Sequence, residues 1–265
     1  MTIYLDLTRE FNTGGLRAIL SSGQAVVLHR LAVMSKDGDW ILRESPDALA
    51  HVLGVLSSRH ARYRFGAPLD VRWMAGGWSS HLEFAAPPLR VRTDFVCRPP
   101  RIAPTDLAAL WREQAGKAMP YVDARRLIEL KKTNREKDYA VIGELARLLE
   151  SPEERLLASR SARELAALAA AEPTLAVDLA RRRPVLVHAG GSIEALEAAL
   201  DAERRDLMHA NERRIEGYLR AASAWQAVWP DVTREIDGMP LPRAHEHVVA
   251  RALGTLPFDA SEAAR

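Results

Sequence analysis

Hydrophobic and polar positions change their period midway along the chain. Over the first hundred residues the apolar clusters are short and punctuated. Residues 18–22 form a brief apolar run ended by Gly23, and residues 24–33 carry a helical pattern. Trp40-Ile41-Leu42 predicts a buried strand. Ser45-Pro46 closes it, a capping serine with proline in the first helical position, and opens a helix from Asp47 to about His60. That helix places Leu49, Val52, Leu53 and Leu56 on one face. Three strand-like stretches follow at 62–65, 71–74 and 81–84, punctuated by Gly76-Gly77 and Pro87-Pro88. A fourth, 89–97, alternates well and stops at Pro99-Pro100.

From Asp123 the period becomes 3.6. One long helix is expected from Asp123 to about Glu150, and Ser151-Pro152 opens the next. Further helices are expected at 153–171, at 192–203 continuing to Ala222, and near 245–253, with disorder only in the last few residues. These patterns predict an α+β fold: a small mixed β-sheet with flanking helices over residues 1–150, followed by an all-α C-terminal domain over 151–265.

Composition narrows the class. With 48% hydrophobic and 27% charged residues, the 265-residue chain has the make-up of an ordinary globular protein. The opening MTIYLDLTRE carries no secretory leader, and no run of about 18 apolar residues suggests a membrane span. The single cysteine, Cys97, fits a reducing, cytoplasmic setting. A formal charge of +2 does not announce a nucleic-acid binder. Of 37 basic residues only five are lysines: Lys36, Lys117, Lys131, Lys132 and Lys137. Where arginine is the default cation, a retained lysine points to a need for a compact point charge.

Two segments carry candidate chemistry. In Ser35-Lys36-Asp37-Gly38-Asp39-Trp40-Ile41, alternation along an extended backbone puts Asp37 and Asp39 on one face and Trp40 on the other. Two converging carboxylates need a cation, and hard oxygen donors favour Mg2+ or Mn2+. Asp94, an acid amid the strand pattern of residues 92–96, is a possible third ligand. D-x-D is a weak signal by itself, since Asp-Gly is also a common turn. The second segment is a helical stripe through Leu127, Lys131, Asn134, Asp138, Val141, Leu145 and Leu148, apolar at both ends and polar in the middle. Either a site or an internal ion pair between Lys131 and Asp138 accounts for it.

In their order along residues 16–148, these pieces resemble the nucleotidyltransferase fold, particularly its bacterial minimal and abortive-infection-type members. Ser21-Ser22-Gly23 resembles the first glycine element, Asp37-Gly38-Asp39 the D-x-D strand, Asp94 the third acid, and 127–138 the lysine-bearing helix. The resemblance implies that Asp37, Asp39 and Asp94 are catalytic and bind Mg2+ (or Mn2+). It implies that Ser22, Gly23, Lys36, Lys131, Lys132, Arg135 and Asp138 meet the nucleotide. The implied reaction moves a nucleoside monophosphate from a nucleoside triphosphate to an acceptor hydroxyl on RNA, protein or a small molecule. A toxin or phage-defence role with an antitoxin-like protein partner goes with it by analogy, and no membrane partner is expected, since no long apolar run exists.

Two positions depart from the family pattern. Gln24 stands where a second Gly or Ser is expected, and Gly38 replaces a bulky apolar residue between the acids. They keep a second reading open, a catalytically weak nucleotide-binding or interaction protein that retains the fold. A phosphohydrolase on the same acids is a third. The eight histidines show no metal-ligand spacing: His29 is expected to pack on the core, and His245-x-His247 to lie at the surface. Trp73, Trp78 and Trp111 read as buried aromatics, and Trp225 with Trp229 as an anchor for their helix or a partner surface.

Overall fold

A computed structural model describes residues 2–260, and the expected disorder of the last few residues falls mainly outside that range. The chain groups into two compact units, Met1–Val122 with Ile215–Arg265, and Asp123–Arg214. The expected boundary near residue 150 therefore falls inside the second unit, and the first unit is completed by the end of the chain.

The first unit holds α1 (Thr2–Phe11), β1 (Ala18–Ser21), α2 (Ser22–Leu28), β2 (Asp37–Leu42), α3 (Pro46–Ser58), β3 (Arg62–Gly66), α4 (Val71–Met74), β4 (Ser79–Ala86), β5 (Leu89–Val96) and α5 (Pro104–Gln114). The five strands form one mixed sheet in the order β1-β2-β5-β4-β3, in which only the β2–β5 pairing is parallel. Among the described residues no strand follows β5, so the fold is α+β with a helical C-terminal region, as the sequence predicts.

One sheet face is apolar. Leu20, Trp40, Leu42, Leu82, Phe84, Val91 and Phe95 bury there with Leu7 and Phe11 of α1 and Leu49, Val52 and Leu56 of α3. The α1 helix follows from its own spacing, since Tyr4, Leu7, Thr8 and Phe11 recur at i, i+3, i+4 and i+7 and all four are buried. Trp40 sits at the centre, wholly buried. Its ring stacks on Phe95 at 5.5 Å and meets Phe11 edge-on at 5.2 Å, and its indole N–H donates to Thr8 Oγ1 at 2.9 Å.

The predicted strand at 71–74 is a helix instead. Asp70 caps it by accepting from Arg72 N at 2.9 Å, and the turn buries both Trp73 and Met74. The C-terminal helices α12 (Ser223–Glu235) and α13 (Leu241–Leu253) complete this unit. The edge strand β3 is covered by α12: Trp225 and Trp229 donate their indole N–H groups to the carbonyls of Gly66 and Arg64 at 2.9 and 3.2 Å. The anchoring expected of this tryptophan pair is thus directed at a sheet edge.

The second unit is helical: α6 (Ala124–Lys131), α7 (Glu136–Arg147), α8 (Pro152–Ala158), α9 (Ala162–Ala171), α10 (Pro173–Leu179), a 3-10 turn (Pro184–His188) and most of α11 (Ile193–Ala221). Two expected helices are each broken in two. The one from Asp123 breaks at Lys132–Arg135, the polar interruption itself, where Thr133 and Asp138 give the backbone and side chains other partners. The one over 153–171 breaks at Ser159–Ser161. There Ser161 caps α9, and buried Arg183 donates to the carbonyls of Leu156 and Ser159. Among the described residues no helix is long and apolar enough to cross a membrane.

Candidate active site

Opposite its apolar face the sheet is polar, and register explains why the acids gather there. Asp37, Asp39 and Ile41 alternate with Gly38, Trp40 and Leu42 on β2, so committing Trp40 to the core commits both aspartates to the other side. Asp39 pairs across the sheet with Ser21 of β1 and with Asp94 of β5, Asp94 pairs with His81 of β4, and His81 with Phe65 of β3. One row, Ser21-Asp39-Asp94-His81-Phe65, thus crosses all five strands. The adjacent row, Asp37-Arg92-Glu83-Arg62, alternates in charge.

Two aspartates side by side repel, and nearby hydrogen-bond donors offset this. Asp94 Oδ1 lies 2.7 Å from His81 Nδ1 and 3.2 Å from the Arg64 guanidinium. Among the described residues Asp37 pairs with Arg92, whose Nη1 stands 3.9 Å from its Oδ1, and that buried oxygen has no hydrogen-bond partner. A buried carboxylate oxygen without a hydrogen bond is costly. Among the described residues no three His, Cys, Asp or Glu side chains stand grouped to hold a metal ion. Asp94 is turned instead to its two basic partners. His81 and Arg64 were not singled out from the sequence as partners of Asp94, because only register reveals that they neighbour it.

The segment leading to the acids is tightly clamped. Buried Gln24 donates its amide to the carbonyls of Ser35 and Asp37 at 3.1 and 3.2 Å, and the Tyr4 hydroxyl donates to the Lys36 carbonyl at 2.5 Å. Burial, then the Asp37 carboxylate, raises the Tyr4 phenol above its ordinary pKa. Both departures from the family pattern therefore have a structural reason. Gln24 ties down the approach to β2. Gly38 is required because a Cβ there would lie 2.6 Å from Trp40 Cζ3 and 2.6 Å from Tyr4 Cδ1. Gly23 is constrained likewise, its missing Cβ being replaced by the Ser35 side chain. Ser22 has φ 47°, a left-handed conformation uncommon outside glycine, at the turn from β1 into α2. Lys36 is exposed beside Asp37.

Lys131, Lys132, Arg135 and Asp138 belong to the second unit. Three of them form one network. Lys131 Nζ lies 3.3 Å from Asp138 Oδ1, while Thr133 Oγ1 and Arg135 Nε donate to Asp138 Oδ2 at 2.6 and 2.8 Å. Burial works against the Asp138 charge, but Thr133, Lys131 and Arg135 together hold its pKa below the usual carboxylate value. Lys132 turns away to Glu129 at 2.6 Å. The internal ion pair considered for this stripe is therefore present.

Other residues read from the sequence are also located. His29 packs edge-on against Tyr121 and bonds the Val122 carbonyl at 3.0 Å. His245 is not at the surface as expected: it is half-buried, its Nδ1 2.7 Å from the Tyr63 hydroxyl, because α13 packs against β3 and α3.

No family model and no curated protein matches the chain. Two solved structures are similar to it: the "putative nucleotidyltransferase from H. pylori" and JHP933 from Helicobacter pylori. Each is 13% identical, with a TM-score of 0.38, over 80% of this chain and 96% and 92% of their own lengths respectively. A likeness this shallow says nothing about chemistry, which rests on the side chains themselves.

Proposed function

We propose that the chain is a metal-dependent nucleotidyltransferase that moves a nucleoside monophosphate from a nucleoside triphosphate to an acceptor hydroxyl. The observation that carries this reading is the buried Oδ1 of Asp37, which has no hydrogen-bond partner and meets Arg92 at 3.9 Å, on the same strand face as Asp39. A Mg2+ (or Mn2+) ion held by those two carboxylates would satisfy it. Magnesium commonly takes only one or two protein carboxylates and completes its octahedron with water and substrate phosphates, so a closed cage of three acids is not required. The ion would position the triphosphate and offset charge at the α-phosphate. In this reading Asp94 acts at the acceptor, Lys36 and the Ser22-Gly23 turn meet phosphate oxygens, and the family resemblance gives Lys131, Lys132, Arg135 and Asp138 to nucleotide binding as well. A cytoplasmic toxin or phage-defence component acting on RNA, protein or a small molecule, restrained by an antitoxin-like partner, is the setting the family resemblance favours.

The non-catalytic alternative is favoured by one observation: Asp94 and Asp138 are already engaged by basic partners. One experiment separates the two. Each α-labelled nucleoside triphosphate is incubated with cell RNA, protein and small-molecule fractions and Mg2+ or Mn2+, beside the Asp37→Ala, Asp39→Ala double variant. Label entering one fraction, and lost in the variant, is expected. Nucleotide binding without label in any fraction leaves the binding protein as the reading.

A further inference from the structure

The row that starts at the paired aspartates ends at a cavity of about 330 Å3 in the first unit, walled by Phe65, Trp78, Tyr218, Trp225 and Trp229. The size falls at the small end of ligand sites, and aromatic walls with a few convergent polar groups are what such sites have. The indole N–H groups are already used: Trp78 donates to the Pro257 carbonyl, Trp225 to Gly66 and Trp229 to Arg64. The tryptophans therefore offer ring faces, which suit a flat apolar body.

The polar groups in the wall are chained to the carboxylate row. Asp94 Oδ1 is 2.7 Å from His81 Nδ1, and His81 Nε2 is 2.8 Å from Ser79 Oγ. Ser79 Oγ is 3.0 Å from the Tyr218 hydroxyl, whose oxygen accepts the Ser79 backbone N–H at 3.2 Å. The carboxylate orients the rest. Asp94 can only accept, so His81 Nδ1 carries its proton to Asp94, Nε2 of the neutral ring accepts from Ser79 Oγ, and Ser79 Oγ in turn accepts from the Tyr218 hydroxyl. All donors point one way, from the cavity wall to Asp94. Phe65 stacks on the imidazole at 4.1 Å and fixes its plane.

We infer that this cavity binds the acceptor, a small flat aromatic molecule carrying a hydroxyl, and that His81 takes the hydroxyl proton. The inference rests on the transferase reading. The acceptor oxygen bonds to the α-phosphorus as its proton passes to His81 Nε2. The bond from that phosphorus to the bridging oxygen breaks, pyrophosphate leaves with the electron pair, and Asp94 balances the imidazolium. His81 lies two strands from Asp39, about 10 Å at ordinary strand spacing. A phosphate positioned by the metal ion that Asp37 and Asp39 would hold, together with a histidine-bound hydroxyl, would occupy that span. Ser79 is a positioning residue that holds the ring until the acceptor arrives.

Titration of the full chain with 2-naphthol, read by tryptophan fluorescence, tests this beside 2-methoxynaphthalene, which lacks the donated proton. Saturable binding with a preference of about tenfold for the hydroxyl compound is expected. His81→Gln should erase the preference, whereas Trp229→Ala should weaken both probes and leave the preference intact. Absence of saturable binding, or equal affinity of the wild-type chain for both probes, overturns the inference. Adenosine displacing 2-naphthol at lower concentration than the naphthol itself reassigns the cavity to a nucleobase and also overturns it. If the preference holds but no label leaves a nucleoside triphosphate, the transferase reading alone has failed. If label is transferred but neither probe binds, this inference alone has failed.

Discussion

Replacing Gly38 by alanine should destabilise the protein although it adds one methyl group to a strand. The added Cβ would stand 2.6 Å from Trp40 Cζ3 and from Tyr4 Cδ1, well inside the roughly 3.5–4.0 Å of a normal carbon contact. Neither ring is free to withdraw. Trp40 is wholly buried, lies between Phe11 and Phe95 and is fastened to Thr8, and the Tyr4 hydroxyl is tied to the Lys36 carbonyl. Overpacking of this kind costs about 1–3 kcal/mol, against a gain of about 0.4–1 kcal/mol from a stiffer unfolded chain. The clash wins, and the melting temperature should fall by several degrees, at about 2–4 °C per kcal/mol for a chain near this size. Gly54→Ala is the control: it lies exposed on α3 with nothing within 4 Å of its Cβ, so the same change should stabilise by about 0.5–1 kcal/mol. Thermal and urea unfolding followed by circular dichroism measure both. A Gly38→Ala protein as stable as the wild type would refute the account of why glycine stands between the two aspartates.

Two further outcomes follow from buried ionisable groups. Burial lowers the pKa of His245, which takes a hydrogen bond from Tyr63 in its neutral form; the stability this gives is fully present above its unfolded pKa of about 6.5 and is lost as pH falls through the lowered folded value. Urea midpoints should therefore drop between pH 7.5 and 5.5, and less so in His245→Gln; equal drops in both proteins would exclude His245 as the source. Lys131→Met strands Asp138 with its remaining donors in a buried setting and should cost about 3–5 kcal/mol, while adding Asp138→Leu should restore much of it. Additive losses in that double-mutant cycle would argue against the pair.

Much of the sheet was legible because period-2 alternation is local: β2 and β5 and the side on which Asp37 and Asp39 emerge follow from Trp40 and Phe95 needing the core. The α1 helix was not read from the sequence, although Tyr4, Leu7, Thr8 and Phe11 recur at helical spacing. Val71–Met74 misled because two adjacent bulky residues suit a buried strand or a capped turn equally, and Asp70 decided for the turn. The breaks at Lys132–Arg135 and Ser159–Ser161 depend on partners distant along the chain or on side-chain geometry, such as Arg183 reaching Leu156 and Ser159. The candidate site was half legible. Its acids lie in recognisable segments, but Arg64 and His81 meet Asp94 only once the strands are paired, and Ser79, bonded to His81, is reached by Tyr218 from 139 residues away.

The discontinuity of the first unit fixes when its cavity can exist. All five strands leave the ribosome early, yet Tyr218, Trp225 and Trp229 are made only after the whole of Asp123–Arg214, and Trp73 and Trp78 find their carbonyl partners at Leu256 and Pro257. A nascent chain therefore carries the aspartate row long before it has walls for the aromatic pocket. During synthesis the edge of β3 lacks α12, and its pairing groups stand open until the last fifth of the polypeptide arrives. Whatever the cavity binds, it meets only a finished molecule, so a chain cut short by premature termination retains the acids without the pocket.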